Sequence, residues 1–371
     1  MDKNRRNFLT HTLKLCAAGT LLPFATESFA SFIDPMEEQE QKRSAEYILV
    51  FASPYKTSER DYCPHMHLEF KQNVENMTQG KVYVEIADDG VLGVGHELMA
   101  SVSRGQISGA LVSVSNLAPA APELDILNIP FWASEQQAYL NLVTSKAWND
   151  LIISKIKTAG KLDPLFHYLP GARTVTSTKR SGKRIRVPDD IVNTVFRVPR
   201  SPVLKVFYQL IGAPAVDVAW KDVALMAKMG RIAAMDPSVV GLFNGPNGLR
   251  HHIGVISQLQ SVYDGWLAVI SQHWLANLPI NLRLSLREAA EKTFIDHLAV
   301  VGQIDANCKK AFERLGTSIY VPTPAEREEW QTRGGYTHKR WDSIKSNVLG
   351  NRRSFMQLLE ATKINNGYRV V

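Results

Sequence analysis

Hydrophobic positions along this chain switch repeatedly between two rhythms. Residues 45–52 (AEYILVFA) are apolar and aromatic and stop at Ser53-Pro54, which predicts a strand. Residues 61–77 carry apolar side chains at helical spacing and run into Thr78-Gln79-Gly80, the composition of a helix end. KVYVEIA (81–87) alternates as a second strand. A short helix over 97–103 precedes an apolar, small-residue strand (105–115) and a strand with an aromatic end (124–132). Helices are predicted over 134–145 and 147–159, then strands near 164–169, 172–177 and 193–198. A helix (202–212), a strand (214–218) and a helix (220–229) follow; GRIAAMD (230–236) ends in a turn and WLAVIS (266–271) is a strand. From Leu282 to about Leu315 one helical pattern runs almost unbroken, and a short strand (318–321) with mostly helix completes the chain. Such alternation predicts α/β sheets with helices on their faces, and ligands in these sheets lie beyond the carboxyl ends of strands.

At 371 residues the chain exceeds one compact domain, so two are expected. Hydrophobic content of 45% and charged content of 21% are ordinary for a globular protein, and no internal repeat is evident. The first thirty residues differ. Lys3, Arg5 and Arg6 precede an apolar stretch from Leu15 to Ala25, and Ser28-Phe29-Ala30 is a small-x-small ending. This is the pattern of an export signal, and NRRNFL is similar to a twin-arginine leader; a Sec leader is the alternative. The expected location is therefore the periplasm. No later segment has the 18 or more uncharged apolar residues of a membrane helix. Setting aside the leader's net +2 leaves about +5 of the chain's formal +7, a mild excess that favours acidic ligands and does not point to nucleic acid. Cys63 and Cys308 remain; sequence alone does not bring them together, and two separate buried thiols is the expectation.

Candidate chemistry is concentrated in TVFRVPRSP (194–202). A strand ends on Arg197 and an apolar helix is about to begin at Val203, an arrangement suited to an anion at the mouth of a cleft; a solvated turn is the bland alternative. His65, His67 and Glu69 are metal-type residues, but positions i and i+2 of a helix do not share a face. His251-His252 reads as a solvated turn and KRSGKRIR (179–186) as a solvated basic loop. No G-x-S-x-G elbow, Walker loop or H-E-x-x-H is present, so neither a catalytic motif nor a cofactor is predicted.

Several landmarks, in order from about residue 46 to at least 335, resemble the solute-binding proteins of TRAP transporters, the DctP-like family. They are MTQGKVYVEI, GVLGVGHELMASVSRGQI, PELDILNIPF, GARTVTSTKR and VPDDIVNTVFRVP. Pro188-Asp189-Asp190 fixes the register, so Arg197 and not Arg186 matches the family's carboxylate-binding arginine, and Arg173 matches a second cleft arginine. The resemblance implies a two-domain periplasmic-binding-protein architecture with a hinge, a central cleft and a long helix spanning both domains. The implied boundaries are 45–170 plus 264–302 for domain I and 171–263 plus 303–371 for domain II. It implies capture of a small organic carboxylate and delivery to a membrane permease, with no chemical step. A ligand sensor of the same fold, or an enzyme acting on acidic substrates, are the alternatives.

The chain departs from the family where an Asp, a Glu and an Asn or Trp are usual: Ala233, Asp236 and Pro237 stand there. The family's third ligand contact falls on this altered segment; Asp236 is kept as a candidate ligand-binding residue, and no metal is expected beside it. The loop after the first strand and the returning strand add Ser53, Tyr55 and Trp266 as candidate cleft residues. A guanidinium stays charged and offers two parallel donors to a carboxylate. One charge-assisted hydrogen bond is worth about 1.5–3 kcal/mol, whereas a micromolar site needs about 8 kcal/mol, so the cleft must supply the rest.

Overall fold

The structure is a computed structural model, and it describes residues 35–57, 62, 66–119 and 121–370. The chain divides after residue 40: residues 35–40 are helical, and everything below concerns the unit 41–371. The leader, Cys63 and His65 lie outside the described residues.

Two sheets organise this unit. The first has the order β2-β1-β3-β10-β4. Its strands are β1 (Tyr47–Ala52), β2 (Val82–Ala87), β3 (Gly109–Ser113), β4 (Leu162–Tyr168) and β10 (Trp266–Ser271). β1 is parallel to β2 and β3, while β10 runs antiparallel between β3 and β4. The second sheet has the order β11-β9-β5-β8-β6-β7. It is built from β5 (Val175–Thr178), β6 (Phe196–Val198), β7 (Ala215–Asp217), β8 (Ala234–Met235), β9 (Ile253–Ser257) and β11 (Ser318–Tyr320). Here β6 is parallel to β7 and β8, and β5 is antiparallel to β8 and β9. Strands β3 and β10 are buried along their whole length, as expected where helices cover both faces and the sequence reads as continuous apolar runs.

The chain passes between the sheets at residues 169–174 and 259–265. These crossings are paired antiparallel: Arg173 N donates to Val262 O (2.7 Å) and Asp264 N to Gly171 O (3.0 Å). The long helix is Ile280–Arg314, about 52 Å at 1.5 Å per residue. Leu286 to Val301 on its buried face belong to the larger core, whereas Ile304, Cys308 and Phe312 belong to a smaller one around Phe243 and Ile256. One helix thus serves two cores. The C-terminal helices reach back over residues 126–144, where Phe355 packs on Trp132 (5.0 Å between rings) and Asn141 donates to Thr362 O (2.9 Å).

One predicted element is of the wrong type. Residues 124–132 are not a strand; Pro122–Asn128 is a helical turn of the 3-10 kind. An apolar run is compatible with a buried helix as well as a strand, and Pro122 at its first position presets the helical start. The turn exists to present two buried polar groups. Asp125 accepts from Ser201 Oγ (2.6 Å) and Val203 N (3.0 Å), and Asn128 donates to Asp125 (2.7 Å). Asp125 so occupies the start of the helix Pro202–Ile211, where backbone N–H groups lack partners. Two short elements within 237–257, the helix Val239–Phe243 and strand β9, were not predicted at all.

Candidate functional site

The carboxyl ends of the parallel strands of both sheets converge. Tyr55 follows β1, Asn116 follows β3, Arg197 lies in β6, Trp220 follows β7 and Pro237 follows β8. All five line one cavity of about 40 Å³, together with Ser113, Arg173, Pro199, Asp264 and Trp266. That volume holds about three water-sized groups, the size of a carboxylate. A second cavity of about 400 Å³ adjoins it through Gly95, Asn116, Arg197, Pro199 and Trp220, and its further walls carry His96, Glu97, Arg200, Asp217 and Lys221.

Arg197 is held from behind. It pairs in register with Val216 and Met235 in the centre of three parallel strands. Its Nε and Nη2 both donate to the Val218 carbonyl (3.1 and 2.9 Å), and its guanidinium lies 5.2 Å over the Trp220 ring. Only 4% of the residue is exposed, and it has no carboxylate within ion-pair distance among the described residues. Burial pulls its pKa down to about 10, partly opposed by Asp236, so it remains a cation at neutral pH. It is a buried positive charge on the wall of two cavities.

Arg173 is the opposite case. Its position just ahead of β5 is fixed by a bridge to Ser238 and by the Val262 carbonyl. Nη1 lies 3.2 Å from Asp236 Oδ1, Nη2 lies 2.8 Å from Asp264 Oδ1, and Nη2 also donates to Ser115 Oγ (3.2 Å). Burial pulls this guanidinium down, but Asp264 and Asp236 overcome it and hold the pKa above the ordinary arginine value. Asp236 is fully buried behind Arg173 and does not line the cavity. Burial raises its pKa, against the pull of Arg173 and then of Arg197.

Tyr55 and Trp266 meet at 5.0 Å between rings and form one aromatic wall. Trp266 opens β10 opposite Ser113 and Tyr168. The indole Nε1 atoms of Trp266 and Trp220 are both buried with no hydrogen-bond partner among the described residues. Two buried indole N–H donors and one guanidinium thus belong to residues of the cavity wall. Ser53 is completely buried and is not among the cavity-lining residues; its Oγ accepts from Tyr55 N (3.1 Å) and shapes the loop that presents Tyr55. The same loop is tied down by Thr57, whose N and Oγ1 donate to Asp88 Oδ2 (2.7 and 2.6 Å).

Of the six residues singled out from sequence, the structure gathers Arg197, Arg173, Tyr55 and Trp266 at one cavity, and sets Asp236 and Ser53 just behind it. Sequence reasoning missed Asp264, Ser115, Asn116 and Trp220. Asp264 carried a signal: an acidic residue in Tyr-Asp-Gly-Trp, immediately before a buried strand. Its Oδ2 accepts from Ser238 Oγ (3.1 Å), and Gly265 follows it because a Cβ there would lie 2.2 Å from the Tyr139 hydroxyl. Among the described residues no group of three or more His, Cys, Asp or Glu side chains is placed to hold a metal ion.

The profile of the bacterial extracellular solute-binding proteins of family 7, DctP, matches residues 56–343. C4-dicarboxylate-binding protein DctB of Bacillus subtilis is 20% identical over 301 residues, 80% of this chain and 81% of its own. The 2,3-diketo-L-gulonate-binding periplasmic protein YiaO of Escherichia coli is 23% identical over 170 residues, 46% of this chain and 50% of its own. Among solved structures, the sugar acid binding protein DctPAm of Advenella mimigardefordensis, in complex with galactonate, is similar with a TM-score of 0.76 at 17% identity, covering 85% of this chain and 97% of that one. A TRAP periplasmic solute binding protein of Sulfurospirillum deleyianum with bound succinate gives 0.75 at 17% identity, covering 87% and 100%. These structural likenesses establish a shared two-domain α/β fold. The profile spans well over half of the sequence, and on that ground the chain belongs to the bacterial extracellular solute-binding proteins of family 7.

Proposed function

We propose that this protein captures a small organic acid by its carboxylate, between the two sheets, and delivers it to the membrane subunits of a TRAP-type permease. One observation carries the reading: Arg197 is a buried cation, unpaired by any carboxylate among the described residues, on the wall of a cavity of carboxylate size. Trp220 and Trp266 add indole donors at the same wall. Tyr55 and Trp266 pack against the ligand, Ser53 holds the Tyr55 loop, and Asp236 acts through Arg173. The bound acids of related structures, galactonate and succinate, support the same ligand class. Family members work outside the cytoplasm, and we assign export of this chain to its twin-arginine leader, residues 1–30.

Domain I comprises 45–170 plus 264–302 and domain II 171–263 plus 303–371 in this reading. The membership of β1–β4 and β10 in one sheet and of the other strands in the second supports it. Closure of these domains buries the ion pair, and exclusion of water strengthens it. The ligand leaves chemically unchanged.

Calorimetric titration with a panel of carboxylic acids and their amides tests the reading. An acid binds, its amide does not, and Arg197→Ala weakens binding by about 2–5 kcal/mol, the cost of breaking a buried charge pair. Equal binding by the variant or by the amide removes Arg197 from the role. Mass spectrometry of the ligand recovered after prolonged incubation shows an unchanged mass; conversion to a product sinks the proposal of binding without chemistry.

A further inference from the structure

The charges around the two cavities determine how many carboxylates the ligand brings. Four cations are present: Arg173 and Arg197, both buried, and Arg200 and Lys221 on the walls of the larger cavity. Four carboxylates accompany them. Asp236 and Asp264 flank Arg173 at 3.2 and 2.8 Å, Glu97 faces Lys221 at 3.8 Å, and Asp217 lies in the same wall as Arg200. Formal charges at the site thus balance, and among the described residues its deeply buried cation without a carboxylate partner is Arg197. The smaller cavity has room for a single carboxylate beside it. The remainder of the ligand then extends into the larger cavity, whose walls carry Glu97 and Asp217 as well as Arg200 and Lys221.

We propose that the site selects acids with one carboxylate, and that Asp236 and Asp264, by consuming the charge of Arg173, are the residues that exclude short dicarboxylates. This rests on the proposed function above. Arg173 lines the smaller cavity and would otherwise be a second docking point for a carboxylate. With both aspartates against it, a second anionic group of the ligand placed beside Arg173 meets two buried carboxylates. An ionised group left unpaired in a buried site is strongly disfavoured. A monoanion is accommodated by Arg197 alone.

The test is titration with matched pairs, butanoate against succinate and gluconate against glucarate, at pH 7 and moderate salt. Each pair shares its carbon count and differs in the terminal group. Wild-type protein binds the monoacid of a responding pair at least about tenfold more tightly than its diacid. Asp264→Asn narrows that ratio to about threefold or inverts it, because Arg173 then has charge to spare. Glu97→Gln, a change at an exposed side chain, improves diacid binding by a smaller factor that vanishes at high salt, and supplies the test if Asp264→Asn fails to fold. A diacid that binds wild-type protein as tightly as its monoacid overturns the charge selection while leaving the proposed function intact. An absence of binding by every acid tried overturns both.

Discussion

Arg173 and Arg197 are equally buried, carry the same charge and line the same cavity, yet their surroundings differ. Arg173 is enclosed by Asp236, Asp264 and Ser115, groups contributed by the residue after β8, the second crossing and the turn after β3. Arg197 is backed by one carbonyl and an indole face. A charge that is compensated inside the protein serves to join its elements; a charge that is not is available to a ligand. Two arginines matched to one family pattern therefore have different surroundings, and in the proposed reading only Arg197 meets the ligand.

The largest effect expected from this contrast is on stability. Arg173→Ala strands two aspartates in a dry interior and costs about 3–5 kcal/mol. Arg197→Ala removes two hydrogen bonds to a single carbonyl and stays within about 1.5 kcal/mol of wild type. Urea denaturation of the ligand-free proteins compares them directly; equal losses would abolish the distinction.

A buried titratable group with no charged partner in contact among the described residues sharpens the rule. His167 accepts from Trp148 Nε1 at its Nε2 (3.1 Å), which leaves the proton on Nδ1, facing the Tyr139 hydroxyl at 3.1 Å. Burial lowers its pKa to about 3. The unfolded chain binds this proton below about pH 6.5 and the folded chain does not, so the stability held above that pH is lost as pH falls toward 3. The slope from this one group is about 1.4 kcal/mol per pH unit at its steepest. Denaturation midpoints at pH 7, 6 and 5 should fall less steeply in His167→Gln than in wild type, and parallel curves would refute the assignment.

Two smaller effects concern the open side of the comparison. Arg197→Lys keeps the charge but loses the fork that grips Val218 and a carboxylate together; affinity for the responding acid drops by about 1–2 kcal/mol with stability little changed. Trp266→Phe retains the aromatic wall against Tyr55 and removes one indole donor. It costs about 1 kcal/mol of affinity, read by the same titration. No change in Trp266→Phe would mean that the ligand offers this donor nothing.

Most of the fold was legible in the sequence because each strand and helix carries its own periodicity. The long helix, the strands β1, β2, β10 and the helix at 202–212 were predicted nearly to the residue. The error at 124–132 arose where burial on all sides erases periodicity, and the short elements of 237–257 offer too few residues for a pattern. The candidate site was legible in part: the family resemblance named Arg197, Arg173, Tyr55 and Trp266, and these four line one cavity. Asp264 and Ser115 did not, since their importance lies in contacts with Arg173 from positions 91 and 58 residues away.

By itself the sequence determined the α/β alternation, the two-sheet capacity of the chain and the presence of arginines at strand ends, because these depend on local spacing and residue type. Which arginine keeps a free charge was decided only by the tertiary structure. Ion pairing depends on distances of about 3 Å between groups remote in sequence, and those exist only once β8 and the crossing at 259–265 have brought Asp236 and Asp264 against Arg173.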